Sequence, residues 1–155
     1  MGYIAELRKL VGSRPLIMAG AGVLVLDGAG RLLLQKRVDN GLWSFIGGSM
    51  EPGETFEQTA RRELWEEAGL EAGALRLLEV VSGPEFFYRY PNGDEVYNVG
   101  VLFLALEVRG SPRTDPSEGL ELRYFGLDAL PDLSPFEKAA LPRVRERLLQ
   151  VRCPV

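Results

Sequence analysis

Between Gly47 and Leu70 the chain reads GGSMEPGETFEQTARRELWEEAGL, with six glutamates and four glycines in one stretch. This stretch limits the fold more than any other, because it demands a loop feeding a helix. Thr55-Phe56-Glu57-Gln58 is a capping-box pattern, which predicts a helix beginning near Phe56. Gly69 fits the left-handed residue that ends such a helix. At steps of about 100° per residue, Ala60, Leu64 and Ala68 form a narrow apolar stripe facing a core. Glu63, Glu66 and Glu67 group beside that stripe, related as i, i+3 and i+4.

On a merely solvated face, glutamates usually alternate with lysines. Three carboxylates grouped at the edge of a buried side repel one another. A divalent cation would turn that repulsion into attraction, so the spacing favours a metal site over a plain surface cluster without deciding between them. Arg62 lies four residues before Glu66, where it can orient that carboxylate or form an ordinary helix-surface pair.

Composition narrows the chemistry. Histidine is absent, which removes Ser-His-Asp and Cys-His catalysis and every His-built metal site. An ion here must be a hard cation on oxygen ligands, such as Mg²⁺ or Mn²⁺. Cys153 is the only cysteine, so no intrachain disulfide forms, which fits a cytoplasmic location. No apolar run approaches the roughly 18 residues of a membrane span, and the first residues carry no apolar leader. The net charge of −4 argues against a nucleic-acid polymer as partner.

The order of elements predicts an α+β fold. A short helix is expected over Tyr3–Val11. Met18–Leu26 and Leu32–Arg37 read as a hairpin around Asp27-Gly28-Ala29-Gly30. Further strands are expected at Leu75–Ser82, Phe86–Tyr90, Val96–Val108 (bulged at Gly100) and Leu122–Leu127. Pro91-Asn92-Gly93-Asp94 is a turn and Gly110–Gly119 a polar loop. A last helix runs Ser134–Gln150, with Ser134 as its cap and Pro135 at its first position. One domain over 1–155 results, with a mixed sheet between helices and 1–14 as helix and connector.

Gly48, Glu54 and Arg62-Glu63-Leu64-x-Glu66-Glu67-x-Gly69-Leu70 together resemble the Nudix box at every defining position, over the loop and helix at 47–70. One departure precedes it: Ile46 stands where family members commonly have proline. The resemblance implies an α/β/α sandwich and hydrolysis of a nucleoside diphosphate linked to another group X, such as a nucleotide sugar, ADP-ribose or a dinucleoside polyphosphate. It implies Mg²⁺ on Glu63, Glu66 and Glu67 with the Gly47 carbonyl as a further ligand. Gly48, Glu54, Arg62 and Gly69 would support the box geometry. The alternatives are a house-cleaning nucleoside triphosphate pyrophosphatase and a non-catalytic nucleotide sensor.

The remaining roles are less constrained. The general base is either a box glutamate such as Glu63 or a loop acid, with Glu118 ahead of Glu121. Lys36 and Arg37 end a strand leading towards the site and are candidates for phosphate contact. Trp43, Phe86, Phe87, Tyr88 and Tyr90 are candidates for stacking a base, against the ordinary role of aromatics in a core. Pro84 and Tyr88 sit near positions that separate Nudix subfamilies, and the two clues conflict. The expected partner is a small nucleotide, and a homodimer is compatible with the sequence.

Overall fold

A computed structural model of the chain describes residues 2–115, 117 and 119–152, leaving aside the side chains of Leu120 and Arg152. Glu118 and Cys153 therefore lie outside the described residues. In chain order the elements are α1 (Tyr3–Val11), β1 (Leu16–Leu24), β2 (Leu32–Arg37), β3 (Trp43–Ser44), β4 (Ile46–Ser49) and α2 (Phe56–Ala68). They continue with β5 (Glu71–Val81), a 3₁₀ turn (Pro84–Phe86), β6 (Phe87–Arg89), β7 (Glu95–Arg109), β8 (Gly119–Phe125) and α3 (Pro135–Arg152). The fold is α+β, as the element order predicts.

Strand periodicity builds the layers. Successive side chains of a strand point to opposite faces. On β7, Val101, Phe103 and Ala105 pack towards the cluster holding Ala60, Leu64 and Ala68 of α2. The intervening Leu102 and Leu104 pack towards Ala140, Leu141, Val144 and Leu148 of α3. On β2, Leu33 joins the α2 side, whereas Leu32 and Leu34 join the α3 side. Near-continuous apolar runs thus reflect strands buried on both faces.

The strands divide between two sheets rather than forming one. The larger has the order β4-β1-β7-β5, with β6 also on β7, and the smaller has the order β3-β2-β8. The pair β1 and β7 runs parallel, which makes the larger sheet mixed. The expected turn at Asp27 forms: the Asp27 carboxylate accepts from the Ala29 and Arg31 backbone N–H groups at 3.0 and 2.9 Å. However, only the Leu26–Leu32 bridge continues the ladder, and β1 and β2 splay into different sheets.

Other expectations change in detail. β5 begins at Glu71, four residues earlier than its apolar pattern suggests. Gly100 is not a bulge, because β1 and β7 stay in continuous register with Gly20 opposite Gly100. A Cβ on Gly100 would lie 1.9 Å from the Gly20 carbonyl oxygen, so the two backbones meet too closely for a side chain. The register shift of β7 falls instead against β5, between Leu77 and Glu79. Ser134 precedes α3 as expected, but its hydroxyl accepts from Asn40 Nδ2 at 3.1 Å. Helix α1 buries no residue and is held by polar bonds, with Arg8 reaching the carbonyls of Gly12, Arg14 and Glu95. Among the described residues no helix is long and apolar enough to cross a membrane.

Candidate active site

Helix α2 forms as its punctuation dictates. Gln58 N–H donates to Thr55 Oγ1 at 3.1 Å, and Thr55 N–H donates to Gln58 Oε1 at 2.8 Å, completing the capping box. Gly69 ends the helix at φ 67°, in the left-handed region. Glu63 and Glu67 lie one turn apart on its inner edge and are 8% and 7% exposed. Glu66 points outward and is much more open.

Arg62 ties this cluster together. Its guanidinium donates to Glu54 Oε2 at 2.7 Å and Oε1 at 2.9 Å, to Glu63 Oε1 at 2.8 Å and to Glu66 Oε2 at 3.3 Å. It also donates to the Ser49 carbonyl at 3.0 Å, which joins α2 to β4. Glu54 in turn accepts from the Glu51 N–H and the Thr59 hydroxyl. The Arg62 hydrogen bonds outweigh the cost of burial and hold the Glu54 carboxyl down at about 2. Arg62 is raised above its ordinary value, chiefly by Glu54 and then by Glu63.

The glycines of β4 admit the carboxylates. Gly47 N–H donates to Glu67 Oε1 at 2.7 Å. A Cβ on Gly48 would sit 2.6 Å from the Glu63 carboxylate, so only a glycine lets Glu63 reach this depth. Among the described residues no three acidic side chains are gathered closely enough to enclose an ion. Glu63 and Glu66 are instead turned onto Arg62, and Glu67 onto the Gly47 amide. The donor set itself is oxygen-only, the chain has no histidine and no thiol lies near it among the described residues, which suits a hard divalent cation.

Glu63 and Glu67 line a cavity of about 600 Å³. That volume lies within the usual range for small-molecule sites, roughly 300–1,000 Å³. The same cavity is lined by Phe45, Phe136, Tyr88, Tyr90 and Glu137, and by Gln35, Ser44 and Asn98. Arg37 reaches this wall, but its guanidinium is bound to Asp39 by two hydrogen bonds of 2.7 Å and lies over the Tyr88 ring. Burial opposes the charge on Arg37, yet the Asp39 partner more than offsets it and raises its affinity for the proton. Tyr88 hydroxyl accepts from Asn40 at 2.9 Å, which fixes the ring.

Several expected site residues lie elsewhere. Lys36 alternates with Gln35 and Arg37 and does not line the cavity. Trp43 is a core residue, edge-on to Phe125 with Arg123 over its ring. Phe86 is buried against Phe136, and Phe87 packs on Tyr97. Glu121 pairs with Arg123 and also stays off the cavity wall. Gly119 packs against a residue of that wall: a Cβ there would lie 2.8 Å from Gln35 Oε1. The start of that loop is pinned to α2, with Arg113 N–H donating to the Ala68 carbonyl at 2.9 Å and its guanidinium over Trp65.

Sequence reading passed over Gln35, Asn98, Asp39 and Glu137. One signal was present: Gln35 interrupts the apolar run LLLQ, whereas Glu137, followed by Lys138 in PFEKAAL, is not marked by its neighbours.

The family profile for the NUDIX domain matches residues 16–145. The chain is 33% identical over 129 residues to the oxidized purine nucleoside triphosphate hydrolase of Mus musculus, covering 81% of this chain and 78% of that one. It is 33% identical over 114 residues to the NAD-capped RNA hydrolase NudC of Chromobacterium violaceum, but spans only 39% of that protein's length. Among solved structures, a MutT NUDIX hydrolase from Burkholderia pseudomallei superposes with a TM-score of 0.70 at 32% identity, over 84% of this chain and 98% of the other.

Proposed function

The chain belongs to the Nudix family of hydrolases, and from that premise we propose that it hydrolyses a pyrophosphate bond in a nucleoside triphosphate with the help of Mg²⁺. The products would be a nucleoside monophosphate and pyrophosphate. One observation carries this reading: a single cavity is lined both by the acidic edge of α2 and by the aromatic side chains Phe45, Tyr88, Tyr90 and Phe136. The acidic edge suits a cation-bound polyphosphate and the aromatic side chains a heterocycle. The mouse relative, matched over most of its length, is named for triphosphates, which moves this substrate class ahead of a nucleoside diphosphate joined to another group X. The second class remains the runner-up because it shares the same bond and the same residues.

Mg²⁺, with Mn²⁺ as a substitute, would be held by Glu63, Glu66, Glu67 and the Gly47 carbonyl; when bound it screens the phosphate charge and makes water a better nucleophile. Arg62 keeps the glutamates of α2 oriented, and Glu54 keeps Arg62 in place. Gly48 leaves room for Glu63. Glu118 is the proposed general base, taking the proton of the attacking water. Its neighbour Gly119 stands against Gln35 of the cavity wall. Glu121, paired with Arg123, is the weaker choice.

A panel of (deoxy)nucleoside triphosphates, ADP-ribose, nucleotide sugars, dinucleoside polyphosphates and short 5′-capped RNA, each with Mg²⁺, tests this. Release of pyrophosphate from a triphosphate is the expected result. Turnover of X-linked diphosphates alone would favour the runner-up. No turnover of any member would overturn both.

A further inference from the structure

Helix α1 lies outside residues 16–145, the part matched by the family profile, so it is an addition to the matched fold. It buries no residue, and Leu10 is 84% exposed. An element with so little apolar contact belongs to the low-stability end of a fold. Yet one of its side chains, Ile4, lines the cavity of the candidate site together with Met18. Met18 is the register partner of Asn98 on β7, which lines the same cavity.

The bonds that dock α1 lead to the acidic helix. The segment supplies no cap of its own, because Gly2 stands at the N-cap and has no side chain to accept from the first turn. The cap comes from 48 positions away in sequence: Tyr3 N–H donates to both oxygens of the Glu51 carboxylate, at 3.1 and 3.2 Å. A carboxylate in that place is favoured by the helix dipole as well as by the hydrogen bond. The Glu51 backbone N–H in turn donates to Glu54 Oε1 at 2.8 Å, and Glu54 is held by Arg62. Glu51 thus joins α1 through its side chain and the Arg62 cluster through its backbone. Farther along α1, Arg8 binds the carbonyls of Gly12, Arg14 and Glu95 and pairs with Asp94.

We propose that α1 is a strap over the cavity: docked by Glu51, it sets Ile4 against a bound nucleotide and helps to retain it. Ile4 is then a substrate-binding residue, and Glu51 is a positioning residue that acts through α1. This rests on the nucleotide reading above. The strap adds apolar contact without adding charge to a cavity that already holds Glu63 and Glu67, because the Glu51 carboxylate is turned onto the helix N-terminus. A nucleotide that touches Ile4 binds the docked state better than the undocked one, so binding and docking reinforce each other.

The test uses the full chain and nucleoside monophosphates (GMP, AMP, UMP and CMP). Binding is measured calorimetrically and docking by hydrogen exchange of the α1 backbone amides, and neither needs turnover. In wild type, the tightest-binding monophosphate should slow exchange in α1 severalfold. Glu51→Ala removes the carboxylate but keeps the backbone N–H that serves Glu54. It should speed α1 exchange about tenfold, the scale of one charge-assisted hydrogen bond. It should also weaken monophosphate binding about fourfold, the scale of one buried methylene group, because Ile4 leaves with the helix. Turnover at saturating substrate and Mg²⁺ activation should stay within about twofold of wild type, since the Arg62 cluster keeps its bonds. Glu51→Gln keeps an acceptor oxygen and should fall between the two. Ile4→Ala should weaken binding by the same factor, and the double variant Ile4→Ala with Glu51→Ala should lose no more than either alone. Faster α1 exchange in Glu51→Ala with unchanged binding would reduce Glu51 to a cap and overturn the proposal. Exchange in α1 that nucleotide leaves unaltered, additive losses in the double variant, or failure of wild type to bind any monophosphate would overturn it too. If the expected pattern appears in a protein with no turnover, the strap stands and the proposed reaction falls. If turnover is present and the pattern absent, the reverse holds.

Discussion

The two parts of the cavity lining are built in opposite ways. The acidic part comes almost wholly from one continuous stretch, Gly47 to Gly69, in which a capped helix, two close-packed glycines and the Arg62 hub lie within about two turns of one another. The aromatic part is gathered from β2, β3 and Phe45 after it, β6 with Tyr90 after it, β7 and α3, residues up to 102 positions apart from Gln35 to Glu137. The first part is charged, and its charges are answered by hydrogen bonds among themselves. The second part holds a neutralised acid, Glu137, and an internally paired arginine, Arg37. Reaction chemistry can thus stay constant while the recognising wall varies, because the two depend on different segments of chain.

That division can be broken most sharply at Glu67. Glu67→Gln should lower kcat about 10³-fold or more, the scale of several kcal/mol supplied by a cation. Monophosphate affinity should change little, and the melting temperature should not fall. Near-normal Mg²⁺-dependent activity in this variant would remove the metal assignment. Next in size is the base. Glu118→Gln should lower kcat about 10²-fold with unchanged Mg²⁺ activation, and Glu121→Gln should remain near wild type. A silent Glu118→Gln would return the base to α2.

Arg62→Ala probes the acidic part through stability. Removing the guanidinium leaves Glu54, Glu63 and Glu66 to repel one another, and urea titration should show a loss of about 1–3 kcal/mol, moderated by solvent exposure. Saturating Mg²⁺ should restore part of it by binding the folded state. A variant as stable as wild type would reduce the hub to a surface cluster.

The smallest effect separates the two parts by pH. Glu54 is depressed to about 2 when folded, so its stabilisation is present above about 4.5 and lost as pH falls towards 2. Glu137 is raised to about 8, so the folded state keeps a proton that the unfolded chain releases above about 4.5, and stability declines from there towards pH 8. Thermal melts should therefore show Glu54→Gln flattening only the acid limb and Glu137→Gln only the alkaline one. Shifts of about 2–4 °C are expected, equivalent to roughly 1 kcal/mol in a chain of this size. Both variants altering the same limb would show that the two parts are electrostatically coupled.

Legibility followed the same division. The sequence alone determined the helix at 56–68, its caps and its acidic edge, because these rest on interactions within a few residues, and it excluded any histidine ligand. It also determined the α+β class, through strand patterns that hold wherever the strands pair. Only the tertiary structure decided that β1 and β2 part into separate sheets, since a turn sets the local reversal but not which neighbour completes each ladder. The tertiary fold likewise turned Trp43 and Lys36 away from the cavity and brought Tyr88 and Tyr90 to it, because a period of two leaves the choice of face to the packing partners. Glu137 is the clearest case: nothing near it in sequence makes it unusual. Its altered acidity arises from burial, against the opposing pull of the Phe45 amide 92 residues distant, in surroundings that exist only once the chain has closed around it.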